Sequence, residues 1–189
     1  MTRCRCYAVA VTFLATTLSA GSVFAAPEGF ACYLDKDGTE SVLVWNAESG
    51  ATKLYYVSPK DGVFKPAPYQ LPPKPLGELK GARYGFDIYV DKDGNESVLV
   101  WDEKSGVGKL YYVSPKDGAF KLAPYQMPST PLGDLKNASY GFDAYVDKDG
   151  NESVLVWDEK TGVNKLYYVS PQDGVFKPAP YQLPKKPIE

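Results

Sequence analysis

Three short acidic loops hold the side chains best suited to chemistry in this sequence. They read Asp35-Lys36-Asp37-Gly38-Thr39-Glu40, Asp91-Lys92-Asp93-Gly94-Asn95-Glu96 and Asp147-Lys148-Asp149-Gly150-Asn151-Glu152. Oxygen-bearing side chains that alternate around a glycine can turn several ligands toward a hard cation such as Ca²⁺. The candidate calcium ligands are therefore the acids and amides of these loops, namely Asp35, Asp37, Glu40, Asp91, Asp93, Asn95, Glu96, Asp147, Asp149, Asn151 and Glu152.

The alternative interpretation of these loops is a plain hairpin turn. Asp-Gly recurs at Asp61-Gly62, Asp117-Gly118 and Asp173-Gly174 without the second acid. Glycine accepts the positive φ that tight hairpin turns require, which makes Asp-Gly a favoured turn pair. The glycine stands at loop position four, whereas an EF-hand needs it at position six. We therefore prefer the turn and keep calcium as the alternative.

Aromatic side chains are the second candidate set. Tyrosine pairs recur on one predicted strand of each repeat, and their two rings must face opposite sides of the sheet. One ring of each pair can belong to the core while the other is open to a ligand such as a sugar. The candidate ligand-binding aromatics are Tyr56, Tyr112, Tyr168, Trp45, Trp101 and Trp157. For the tryptophans, packing in the core is the preferred alternative, because each ends an apolar strand.

The sequence contains no histidine. An imidazole base, a histidine metal site and a Ser-His pair are therefore excluded. The paired acids occur three times, whereas an active site normally occurs once in a chain. We predict that the protein is not an enzyme, and a hydrolase that uses carboxylates is the least favoured function.

These candidates stand on a repeat of 56 residues. Trp45, Trp101 and Trp157 are 56 residues apart, and only seven of the 45 aligned positions differ between 84–128 and 140–184. Such a fixed period indicates a repeat architecture. We place the repeats at 26–83, 84–139 and 140–189, together forming one domain.

Each repeat carries four strand signals separated by Gly- and Asp-containing turns. In the second repeat they lie at Phe86–Val90, Ser97–Asp102, Lys109–Ser114 and from Ala119 to about Ala123. They are rich in β-branched and aromatic residues, as strands are. The two central strands are apolar on both faces, which predicts that both faces are covered. Pro-rich stretches then connect the repeats.

The sequence therefore predicts an all-β protein of three four-stranded antiparallel repeats that resemble β-propeller blades. A β-trefoil or β-prism is the alternative, because both build one closed domain from three units. Three blades are too few to close a propeller, which usually needs at least four. If the units are blades, we expect two chains to join in a six-bladed ring, so the possible partner is a second copy.

The chain also resembles FG-GAP/VCBS-type β-propeller repeats. The resemblance lies in the Asp-x-Asp-Gly loops ahead of an apolar strand, and in Asp117-Gly118-Ala119-Phe120-Lys121 followed by Ala123-Pro124-Tyr125. It implies blades and a calcium site in the loops. The family's second loop glycine is replaced here by Glu96 and Glu152, and its later calcium-binding Asp has no clear counterpart.

Residues 1–25 have the pattern of an export signal. Arg3 and Arg5 precede an apolar run from Tyr7 to Leu18, and Val23-Phe24-Ala25 supplies the small residues of a cleavage site. An uncleaved anchor is the alternative. Cleavage would leave no predicted membrane span, one cysteine (Cys32), and 19 basic against 23 acidic residues, since two of the 21 basic residues lie in the leader. A net charge of −4 without basic clusters argues against nucleic acid as a partner.

We expect a secreted, periplasmic or cell-surface protein. The leading functional hypothesis is a binding module that recognises a glycan or a protein surface through repeated equivalent sites. The alternative is a structural or envelope-associated repeat protein without a small ligand. The observation behind the first hypothesis is the threefold recurrence of aromatic residues and acidic loops.

Overall fold

A computed structural model describes residues 28–184 of the chain. The predicted leader, 1–25, lies outside the described residues. Regular structure in the described part is entirely β, and it includes no helix with the length and apolar character that a membrane crossing needs. Its strands are β1 Glu28–Leu34, β2 Glu40–Asn46, β3 Thr52–Val57, β4 Phe64–Pro66, β5 Tyr84–Val90, β6 Glu96–Asp102, β7 Gly108–Val113, β8 Phe120–Leu122, β9 Tyr140–Val146, β10 Glu152–Asp158, β11 Asn164–Val169 and β12 Phe176–Pro178.

The strands form three antiparallel sheets, each ordered as in the sequence. We name them blade 1 (β1–β4), blade 2 (β5–β8) and blade 3 (β9–β12). The prediction of three four-stranded antiparallel repeats is confirmed. The register is also repeated, since the Gly-Phe start of each repeat pairs with the end of the next strand, as Gly85 does with Trp101.

Neighbouring blades pack face to face, with their first strands in contact. β1 packs on β5, and β5 packs on β9. Within residues 28–184, β1 and β9 share no packing of comparable extent. The three blades therefore form an open arc of propeller type. In a trefoil or prism, by contrast, the first and third units would also pack together.

The position of blade 2 between blades 1 and 3 explains why its strand β6 is apolar on both faces. Val98 and Val100 join a buried cluster shared with blade 1, whereas Leu99 and Trp101 join one shared with blade 3. Every residue of β6 is buried. The prediction that this strand is covered on both sides is confirmed.

Candidate binding clefts between the blades

A cleft opens at each of the two junctions between blades. Cleft 1 lies between blades 1 and 2, and cleft 2 lies between blades 2 and 3. Their volumes are about 190 and 360 Å³. Cleft 1 is lined by Lys36, Tyr69, Asn95, Glu96, Val113, Ser114, Pro115 and Gly118. Cleft 2 is lined by Lys92, Asp93, Pro124, Tyr125, Asn151, Glu152, Val169, Ser170, Pro171 and Gly174.

The two clefts are copies of one site. Each lining residue of cleft 1 has its counterpart 56 residues later in cleft 2. The upstream blade supplies a lysine from its first turn and a tyrosine that follows its last strand. The downstream blade supplies Asn-Glu from its first turn and Ser-Pro from its third turn. First and third turns lie at the same end of an antiparallel sheet, so both clefts open on the same rim.

The acidic loops are hairpin turns organised by their first aspartate. Asp91 Oδ1 accepts the backbone N–H groups of Asp93 and Asn95 at 2.9 and 2.7 Å. Its Oδ2 accepts the Ser97 hydroxyl at 3.3 Å and the Asn95 amide at 3.2 Å. Asp35 and Asp147 make the same two backbone contacts. This self-bonded turn fixes the lysine and asparagine that face the clefts.

The last acid of each complete loop joins two blades. Glu96 is buried in blade 2 and accepts the Tyr33 and Tyr69 hydroxyls of blade 1, both at 2.5 Å. Glu152 is buried in blade 3 and accepts the hydroxyls of Tyr89, at 3.0 Å, and Tyr125. Because a buried carboxylate is costly unless its oxygens are hydrogen-bonded, these pairs hold adjacent blades in one alignment.

The cleft tyrosines are positioned by the residue that follows them. The Gln70 side chain accepts the Leu54 N–H at 2.8 Å and donates to the Leu54 carbonyl at 3.0 Å, as a further strand would. Gln126 and Gln182 repeat this contact. Tyr69 is thereby held over cleft 1, where its ring meets Phe120 edge-on at 5.8 Å. The side-chain amide of Gln70 thus pairs with the backbone of β3 as a peptide group of a further strand would.

The electrostatics of cleft 2 follow from these contacts. Burial raises the pKa of Glu152, although the hydroxyls of Tyr125 and Tyr89 favour its ionised form. A hydrogen bond from Lys92 to Asp93 raises the pKa of Lys92. The exposed ammonium therefore stays charged at neutral pH, close to amide, hydroxyl and aromatic groups. This set can donate and accept hydrogen bonds and offers a ring to an apolar surface.

The structure brings some of the predicted residues together and separates others. Asn95, Glu96, Asp93, Asn151 and Glu152 line the clefts. The aspartates Asp37, Asp93 and Asp149 lie exposed at the turns, whereas Glu40 lies exposed at the start of β2. Among residues 28–184, no three Asp, Glu, His or Cys side chains are grouped so that they could hold a metal ion. The turn N–H groups, the Asn95 amide and the Ser97 hydroxyl bond both oxygens of Asp91, and calcium binding in these loops stays a prediction.

The predicted aromatics lie mainly at the blade junctions. Trp101 is buried between blades 2 and 3 and donates its indole N–H to the Tyr140 carbonyl at 3.0 Å. Trp45 and Tyr56 pack against the buried cluster shared by blades 1 and 2. Trp157 and Tyr168 are half-buried in blade 3. Tyr112 lines a separate depression on the rim of blade 2, together with Asp93, Asn95, Ser114 and Lys121.

Sequence reasoning did not single out Tyr69, Tyr125 and the cleft lysines as site residues. A signal for the tyrosines was present, because Pro-Tyr-Gln closes every repeat although neither tyrosine nor glutamine has a reason to recur in an exposed linker. The lysines had none, since a lysine beside two acids is usual in a solvated turn.

The fold and the clefts define this chain as an all-β repeat protein with copied sites between its blades. No protein-family model matches the chain, and no curated protein matches it significantly. The resemblance to FG-GAP/VCBS repeats thus stays a prediction. Among solved structures, the chain is similar to a fucose lectin from Kordia zhangzhouensis in complex with methyl-fucoside. The identity is 13%, the match covers 82% of this chain and 99% of that chain, and the TM-score is 0.42.

Proposed function

We propose that this protein is a non-enzymatic glycan-binding module whose sites are the clefts between its blades. The observation that carries the proposal is the copying of a whole mixed site, aromatic, cationic, amide and hydroxyl, at two junctions. A junction that served only packing would need the buried tyrosine–glutamate contacts, but not an open cleft beside them. The predicted leader extends the proposal to action outside the cytoplasm.

The chemistry of the clefts suits a sugar. A sugar presents hydroxyl groups that both donate and accept, and C–H faces that pack on aromatic rings. Lys36 can donate a hydrogen bond to a sugar hydroxyl, and Asn95 can donate to one or accept from one. The Tyr69 ring borders the same space. The volumes of about 190 and 360 Å³ lie near or below the lower end of typical ligand pockets. They therefore fit one sugar residue better than a long chain.

The same clefts give little support to hydrolysis. Both oxygens of Glu96 accept tyrosine hydroxyls, and Glu152 is engaged in the same way. Burial and the contact with Glu96 raise the pKa of Tyr69, so that this hydroxyl stays a donor at neutral pH. These groups act as structural links between blades.

The proposal is tested with a glycan array, followed by calorimetry on the best ligand. The informative variant is Lys36→Ala with Lys92→Ala, because both lysines are exposed and neither holds the fold. Loss of a charged hydrogen bond costs about 1.5–3 kcal/mol, so affinity should fall at least about tenfold. Lys104→Ala is the matched control, since Lys104 lies on the turn at the opposite end of blade 2.

Three outcomes would reject glycan binding in the clefts. The first is a folded wild-type chain that binds nothing on the array, which would favour the purely structural role. The second is a glycan whose affinity is the same for the double lysine variant as for the wild type. The third is an equal loss of affinity in the double variant and in the Lys104→Ala control, which would show that general charge is responsible for binding.

A further inference from the structure

Within residues 28–184, nothing covers the outer side of blade 1, which is an apolar sheet face. We call it the upstream face; it consists of Phe30, Val42, Val44, Tyr55 and Phe64, which together line one depression. Phe30 is 61% exposed and Phe64 is 55% exposed. Four of these five repeat positions are buried in blades 2 and 3, where Phe86 and Phe142 are each only 4% exposed, and the fifth, that of Phe64, is half-buried there. A surface built as a blade interface is thus open at this end.

The outer side of blade 3 is the complementary surface. We call it the downstream face; it consists of Tyr145, Leu155, Trp157, Tyr168 and Tyr181. Tyr145 is 37% exposed and Tyr181 is 55% exposed. Its counterparts in blade 2 include Tyr89, Leu99 and Trp101, all of which are buried against blade 3. The outer sides of blades 1 and 3 therefore carry the two halves of an interface that the described residues already form twice.

We propose that a second copy of this chain covers both faces, head to tail, and closes a ring of six blades. The downstream face of each copy then packs on the upstream face of the other. The internal junctions show that these two surfaces fit each other, since each joins an upstream-type surface to a downstream-type one. Propellers usually have between about four and eight blades, and six is the only multiple of three in that range.

Polar groups at the two ends match in the same way. At the internal junctions a buried glutamate accepts two tyrosine hydroxyls, as Glu152 does from Tyr89 and Tyr125. The counterparts at the ends are Glu40 on blade 1, and Tyr145 and Tyr181 on blade 3. Glu40 lies exposed in the single chain, whereas Glu96 and Glu152 are buried. In the ring, Glu40 of one copy receives both tyrosine hydroxyls of the other.

Ring closure also completes a further cleft between the two copies. Lys148 and Tyr181 of one copy would face Thr39, Glu40 and Ser58 of the other, which are the repeat counterparts of the cleft 2 residues. This cleft has Thr39 where the internal clefts have Asn95 and Asn151. A ring would thus hold four internal clefts and two clefts between copies. Ligand binding in this further cleft rests on the proposed function, but ring formation does not.

The test is the mass of the assembly for two single variants and their mixture. Val44→Asp places a charge on the upstream face, and Leu155→Lys places one on the downstream face. Their counterparts at the second junction, Val156 and Leu99, belong to one buried cluster. We expect the wild type to have the mass of two chains in sedimentation velocity, and each variant to have the mass of one.

An equimolar mixture of the variants should recover a dimer, identified by native mass spectrometry as one chain of each kind. In that pair one junction is wild type and the other joins the new aspartate to the new lysine. Recovery also shows that both variants are folded. Val44→Leu is the control and should stay dimeric.

Three results would overturn the proposal. The first is a wild-type monomer that persists at all concentrations. The second is a Val44→Asp chain that remains dimeric, because the upstream face would then be unused. The third is a Leu155→Lys chain that remains dimeric, because that result indicates a symmetric contact between two upstream faces. None of these results depends on a glycan, so they leave the proposed function to its own test.

Discussion

Each Gly-Phe start places a glycine beneath the indole ring of the paired strand. A β-carbon on Gly29, Gly85 or Gly141 would lie only 2.1–2.3 Å from the ring of Trp45, Trp101 or Trp157. Real side chains do not approach so closely. The tryptophan ring therefore requires glycine at this position.

Gly85→Ala should destabilise the protein by about 1–3 kcal/mol, the usual cost of overpacking a core. Urea unfolding followed by tryptophan fluorescence measures this cost, with circular dichroism for variants that lack Trp101. In the Trp101→Leu background the same glycine substitution should cost much less, because the ring that it meets is gone. Additive costs in the double-mutant cycle would contradict this explanation.

Asp87 gives the stability a pH dependence. Burial raises its pKa to about 6; its contact with the Ala144 N–H opposes this rise, and Asp143 adds to it. The folded chain then holds a proton that the unfolded chain has already released above about pH 4. The stabilisation from this group is complete below about pH 4 and is lost as the pH rises through 6.

Between pH 4 and 7, wild type should therefore lose about 1–2 kcal/mol relative to Asp87→Asn, after allowance for solvent screening. Urea titrations of both chains at unit pH intervals measure the difference. The comparison cancels the shared contributions of Glu103 and Glu152, whose pKa values burial also raises. Parallel curves for the two chains would show that Asp87 is not responsible.

At the scale of elements, the first hairpin turn of each blade has one structural acid and one solvent-facing acid. Asp91 is buried and bonded within the turn, whereas Asp93 is exposed and pairs with Lys92 at 2.7 Å. The sequence shows two similar acids. Only the backbone of the turn decides which one points inward.

Asp91→Ala should lower the unfolding free energy by about 1–2 kcal/mol, because it leaves turn N–H groups unpaired. Asp93→Ala should cost little, as surface ion pairs contribute little. Both effects should be the same in calcium and in chelator, as measured by thermal melting. A calcium-dependent rise in the wild-type melting temperature that Asp93→Ala abolishes would instead establish a metal site.

Much of the element level was predictable from sequence. The strand signals gave each strand within about two residues, because β-branched runs and Asp-Gly turns are local features. The clefts were predictable only in part. Glu96 meets Tyr69 across 27 residues and Tyr33 across 63, and these contacts depend on how one sheet stacks on the next. Local patterns carry no information about that stacking.

At the scale of the whole molecule, the proposed ring and the proposed binding clefts together predict a ratio of bound ligand to protein chains. Calorimetry with the ligand found on the array should give three sites per chain in the wild-type dimer and two in the Val44→Asp monomer. The site between copies should differ in affinity, since Thr39 replaces the asparagine of the internal clefts. Two sites per chain in a proven dimer would show that this cleft does not bind, without affecting the ring.

The sequence also indicated the number of units without showing where the arc ends. Repeats 2 and 3 are nearly identical, yet one lies in the middle and the other at an end. The differences of burial between Leu99 and Leu155 therefore arise from position alone. No residue at either site marks that difference.

The complete burial of β6 has a kinetic consequence. Each blade packs mainly against its neighbours, so local unfolding should begin at an end of the arc and reach blade 2 last. Amide hydrogens of β6 should exchange with deuterium most slowly, and those of β2 and β10, which keep half-buried residues, should exchange faster. Mass spectrometry of exchanged peptides can follow this gradient along the chain. In the Val44→Asp chain, which should not form the proposed ring, the gradient should be steep. In the wild type the proposed ring covers both ends, so the exchange rates of β2, β6 and β10 should become nearly equal.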